Sequence, residues 1–94
     1  MDKLEYLGNI LLRALSKTRE LGTLPLTEPV KKRRAILMKL LRKHSANVRE
    51  LAEATKNDGF LDGAKVSAAL DRMIHAAEEI DKELEQLLRE AKKR

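Results

Sequence analysis

The chain has 94 residues and a net charge of +5, with no cysteine, no tryptophan, one tyrosine and one phenylalanine. Disulfides, thiolate metal centres and an aromatic core are thereby excluded, and the length suits one domain with a modest aliphatic core. No run of about 18 apolar residues is present to span a bilayer, and the start "MDKLEYLGNILL" is too short and too acidic for a secretory signal. The expected location is therefore intracellular and soluble.

Charged residues make up 37% of the chain, and the strong helix formers that accompany them point to an all-α fold. The first helix is expected over residues 3–21. Leu4, Leu7, Leu11, Ala14, Thr18 and Leu21 recur three and four apart, and Ile10 and Leu15 widen that stripe. Gly22 comes next as a stop signal. In "GTLPLTEP", Pro25 and Pro29 punctuate the chain. Thr27 suits an N-cap, with Glu28 and Pro29 in the first turn of the next helix.

A second helix is expected over residues 28–56. Leu37, Leu41, His44, Val48, Leu51 and Thr55 form its apolar series, Val30 extends it backwards, and Ile36 and Leu40 broaden it. "KNDGFLDG" then breaks the pattern with turn chemistry at Asn57, Asp58, Gly59, Asp62 and Gly63. Phe60 and Leu61 within it are expected to plug one end of the core. The third helix, over residues 64–92, has the most regular repeat: Val66, Leu70, Met73, Ala77, Ile80, Leu84, Leu87 and Ala91. Ile74 and Leu88 flank it on one side, and Ala69 and Ala76 on the other, a stripe wide enough to touch two neighbours.

The expected architecture is an antiparallel three-helix bundle with long second and third helices, forming a single domain over residues 1–94. The second and third helices outrun the first. Their uncovered ends make a homodimer one expected outcome.

Catalytic chemistry is missing. There is no cysteine nucleophile, no Ser–His–Asp pattern in a glycine-flanked turn, and no phosphate-gripping Gly-Lys-Ser/Thr. "NDGFLDG" fails the ligand spacing of a calcium loop at Phe60. His44 lies on an apolar face and reads as a packed core histidine. His75 lies off the stripe of the third helix among Asp71, Glu78 and Glu79, too few strong ligands for a zinc site. A non-enzyme with no cofactor, no metal and no small-molecule substrate is expected.

The charge distribution is the informative feature. Residues 31–49 hold eight cations and no acid, leaving 12 basic and 15 acidic residues elsewhere, a net of −3. Four of the cations, Lys31, Lys32, Arg33 and Arg34, stand at a helix start, where the macrodipole disfavours them. With Lys39, Arg42, Lys43 and Arg49 they predict a surface for an anion. Lys32, Lys39, Arg42 or Lys43, and Arg49 fall in one stripe, suited to the phosphates of a duplex.

Residues 33–73, "RRAILMKLLRKHSANVRELAEATKNDGFLDGAKVSAALDRM", resemble a helix-turn-helix unit. The resemblance implies a second helix opened by an Asn47/Glu50 capping box. It also implies a recognition helix fronted by Lys65, Ser67, Ala68 and Arg72. The turn is longer than the usual three or four residues. "LPLT" and "LRKH" resemble the N-terminal helical bundle of transcription elongation factors, but at different spacing and without its tryptophan, so no function is carried over.

Two partner classes are expected. One is nucleic acid, held as a duplex through phosphates by Lys31, Lys32, Arg33, Arg34, Lys39, Arg42, Lys43, Arg49, Lys65 and Arg72, as in a small regulatory or architectural protein. The other is an acidic protein, met by the same basic face in an adaptor or interaction module. A membrane surface is disfavoured by the lack of aromatic anchors on the second helix. "PVKKRR" also matches a nuclear-import cluster, should the source be eukaryotic.

Overall fold

A computed structural model of the chain describes residues 3–58 and 63–93, with the side chains of residues 54–58 and 63–65 outside the description. The fold is all-α. Helix α1 is Lys3–Leu21, α2 is Glu28–Asp58 and α3 is Gly63–Lys92, and there is no strand among the described residues. No helix is long and apolar enough to cross a membrane among those residues. The molecule measures 51 × 19 × 16 Å.

Helix α1 buries Leu7, Ile10, Leu11, Ala14, Thr18 and Leu21, the face expected from their three- and four-residue spacing. The Thr18 hydroxyl is inside this face and donates to the Leu15 carbonyl at 2.6 Å, so its burial leaves no unpaired group. Leu15 itself departs from expectation. It is 37% exposed and Leu12 is 65% exposed.

The end of α1 tightens into two three-residue-spaced bonds, Thr23 N–H to the Glu20 carbonyl and Leu24 N–H to the Leu21 carbonyl. The Lys31 N–H donates to the Thr27 carbonyl at 3.0 Å, which puts Thr27 at the N-cap position of α2. Glu28 and Pro29 then fill the first turn, where a proline removes no helical bond.

Helix α2 is continuous for 31 residues, about 46 Å at the ordinary rise, and runs through Asn57 and Asp58, two residues past its expected end. It passes unbroken through Ser45, Ala46 and Asn47. That overturns the helix-turn-helix reading and its Asn47/Glu50 capping box. Nothing between Val30 and Asp58 breaks a helix, since neither glycine nor proline occurs there. The apolar spacing continues across the supposed turn to the half-buried Val48 and Leu51. Leu37 and Leu41 are the buried members of α2 among the described residues. Ile36 and Leu40, expected to broaden the core face, are 48% and 37% exposed.

Helix α3 supplies Leu70, Ala77, Ile80, Leu84, Leu87 and Leu88 to the core, with Val66, Met73, Ile74 and Ala91 packed against it. Ion pairs tie α3 to α1 in step: Lys3 to Asp71 at 2.9 Å, Lys17 to Asp81 at 2.9 Å and Glu85 at 3.2 Å, Lys92 to Glu20 at 2.8 Å. Lys3 also donates to the Ser67 hydroxyl at 2.7 Å. The start of α1 is thus level with Ser67 and Asp71, and α3 before that point extends beyond α1. Phe60 and Leu61, the expected core plug, lie outside the described residues, as do all of residues 59–62.

Candidate functional site

The cations that open α2 have intramolecular roles. Lys31 reaches the Glu28 carboxylate one turn earlier at 3.7 Å. Arg33 donates through Nε and Nη2 to both carboxylate oxygens of Glu83 on α3, a bidentate pair. Arg34 donates from Nε to the Thr18 carbonyl at 3.0 Å, in the last turn of α1. The repulsion between these cations and the α2 dipole is therefore offset by a neighbour. The start of α2 lies against the end of α1, where carbonyls point outward and a cation is favoured.

Gly22 makes room for this contact, since a Cβ there would come within 2.7 Å of Arg34 Nη2 and 3.3 Å of the Arg19 carbonyl oxygen. It also stands directly after Leu21, the last residue of α1, where the sequence places the stop signal. It clears the seat of a guanidinium.

The remaining cations of the segment have no carboxylate partner among the described residues. Lys32, Lys39, Arg42, Lys43 and Arg49 are all exposed. At 100° per residue they divide in two. Lys32, Lys39 and Lys43 point away from Leu37 and Leu41, outward from the molecule. Arg42 and Arg49, seven apart, share a flank with Met38 and Ser45. Arg72 is exposed on α3, and the Lys65 side chain lies outside the described residues. The structure thus splits the single basic stripe into an outward lysine line and an arginine pair.

The arginine pair borders an open apolar groove between α1 and α2, with a volume of about 650 Å³. Leu4, Gly8, Leu11, Leu12 and Leu15 form the α1 wall. Met38, Leu41, Val48 and Ala52 form the α2 wall, with Arg42, Ser45, Ala46 and Arg49 among its polar and small members. Leu12 and Leu15 are the exposed leucines of α1.

Gly8 stands in the interior of α1, where glycine costs about 1 kcal/mol relative to alanine. No packing demand among the described residues explains it, because a Cβ built there meets none of their atoms within 4 Å.

Sequence reasoning missed this groove. Two signals for it were present: Leu12, an apolar residue outside the stripe of α1, and Gly8, a glycine that no turn requires.

His44 sits half-buried on α2, and its Nδ1 is buried without a hydrogen-bond partner among the described residues. Burial, aided by the charge of Lys43, lowers its pKa below the ordinary 6.5. Among the described residues no group of three or more His, Cys, Asp or Glu is placed to hold a metal ion.

No protein-family model, no curated protein and no solved structure matches the chain.

Proposed function

We propose that this chain is a non-catalytic protein-interaction module. It is a single antiparallel three-helix bundle that receives a partner in the groove between α1 and α2. The observation that carries this reading is the groove itself. Leu12 and Leu15, 65% and 37% exposed, stand over an apolar floor beside two arginines that have no carboxylate partner among the described residues. The antiparallel arrangement draws support from Arg34 at the end of α1, the in-step ion pairs of α1 with α3, and the pairing of Arg33 with Glu83.

The test is selection of binders from a displayed library of helical peptides, with counter-screening against Leu12→Glu/Leu15→Glu. Enriched peptides that lose binding to this variant support the docking face. Peptides that bind both proteins alike reject it.

A second reading, duplex nucleic acid held through phosphates, draws on Lys32, Lys39 and Lys43 with Arg42 and Arg49, five exposed cations on one helix. If all five meet phosphates, log affinity for duplex DNA falls with log salt at a slope of about −4.5. Absence of DNA binding at about 50 mM salt, where such contacts are strong, rejects this second reading.

A further inference from the structure

We infer that the occupant of the α1/α2 groove is an acidic amphipathic helix from a different protein, with a large apolar side chain seated over Gly8 and carboxylates on Arg42 and Arg49. This inference rests on the reading of the groove as a docking site and adds the chemistry of the partner.

Shape argues for a helix. The α1 wall spans Leu4 to Leu15 and the α2 wall spans Met38 to Ala52, about 17 Å and 21 Å of helix axis. That matches three to four turns of a further helix laid between two others, with its apolar residues entering at i, i+3, i+4 and i+7. Among the described residues there is no sheet edge on which an extended peptide would add.

Gly8 adds an independent sign. No atom of the described residues fills the space above it, so a partner side chain meets the backbone of α1 without displacing any of them. An isolated bundle gains nothing from glycine in that helix and loses helix propensity by it. A partner that needs the approach accounts for it.

Charge selects the partner. Residues 31–49 contain no acid, and Arg42 and Arg49 keep their guanidinium groups free of carboxylates among the described residues. Arginine offers a carboxylate a two-pronged bond, and seven-residue spacing matches acids two turns apart on a facing helix.

A second copy of this chain is a poor source. Its acid-rich helix is α3, whose apolar residues Ile80, Leu84, Leu87 and Leu88 are already buried in its own core. Asp81, Glu83 and Glu85 there are held by Lys17 and Arg33. Its exposed apolar pair, Ile36 and Leu40, lies among Lys32, Lys39 and Lys43, which the arginines would repel.

The experiment uses the full chain and three labelled synthetic 16-residue amphipathic peptides. They share leucines at helical spacing and carry Glu, Gln or Lys at every polar position. Binding is read by fluorescence anisotropy, and the location by amide chemical-shift changes.

The Glu peptide is expected to move the amides of Gly8, Leu12, Arg42 and Arg49 and to bind at least about tenfold tighter than the Lys peptide, a difference of about 1.4 kcal/mol. Arg42→Glu/Arg49→Glu should reverse that order. Gly8→Leu should weaken the Glu peptide about tenfold or more, and Gly8→Ala should weaken it measurably but less, because each added side chain takes space the partner's side chain fills. Both Gly8 variants are checked for helicity and melting temperature, so a failure to fold is distinguished from a blocked groove.

Equal binding of all three peptides at the groove overturns the acidic partner while leaving the docking face intact. Failure of every peptide to move these four amides overturns both. Concentration-dependent self-association abolished by Leu12→Glu overturns the partner's being a different protein. A duplex DNA that displaces the Glu peptide and moves the same amides overturns its being a protein.

Discussion

At the scale of single residues, the seat of Arg34 is the contact that explains most about the basic run. Its guanidinium meets a carbonyl at the negative end of α1, and Gly22 leaves the space. Arg34→Ala should lower stability by about 1 kcal/mol, the usual scale for a charge-assisted bond at a helix end. Gly22→Ala should cost less, since the Arg34 guanidinium ends a flexible side chain and can shift away from the added methyl group. The double variant should lose less than the sum, because both act on the same interaction, and urea denaturation of the four proteins measures this.

His44 gives the second residue-scale expectation. Its folded pKa is depressed by burial and by Lys43, so the unfolded chain binds the proton more readily. Its contribution is therefore fully present above about pH 6.5 and is lost as pH falls through the lower folded value. The melting temperature should drop from pH 7.5 toward pH 5, and His44→Gln should flatten that part of the profile. An unchanged profile in the variant would show that other groups control the acid side.

At the scale of elements, the three helices and the cap that opens α2 were legible because each is governed by local rules. The stripe of α3 is read from residue spacing, Thr27 and Pro29 from the geometry of a first turn. The error lay in α2, where "HSANVRE" has the composition of a cap but stands inside a helix. Asn47 distinguishes the two cases by sign. An interior Asn47→Ala should stabilise by about 0.5 kcal/mol through helix propensity, whereas loss of an N-cap costs about 1 kcal/mol.

The pairing of α1 with α3 has its own test. Burial alone would lower the Lys17 pKa, but hydrogen bonds and attraction from Asp81 and Glu85 outweigh it and hold the pKa above its ordinary value. Lys17→Met should cost about 1 kcal/mol, since it leaves the poorly exposed Asp81 without its cation. Lys17→Met/Asp81→Leu should recover much of that loss, because no charge is then stranded. Thermal melts of the single and double variants measure both steps.

At the scale of the whole molecule, one cationic segment divides into two parts. Its first turn is spent on packing, through Arg33 on α3 and Arg34 on α1. Its remainder is left to solvent or a partner. Arg33→Ala/Arg34→Ala should lower the melting temperature, whereas Lys32→Ala/Lys39→Ala/Lys43→Ala should leave it nearly unchanged and reduce retention on a heparin column. The opposite pattern would reverse the division drawn between packing and surface cations.

The sequence by itself determined the all-α class, the three helices, most of the core and the presence of a charge block without acid. These arise from periodicity and composition, which act within a few turns of one helix. Only the tertiary structure decided that Arg34 caps another helix, that Leu12 and Leu15 stay exposed, and that Arg42 and Arg49 border a groove over Gly8. Each of those depends on which helix lies beside which and at what distance. A groove is the space two helices leave unfilled, and residues far apart in sequence define it jointly.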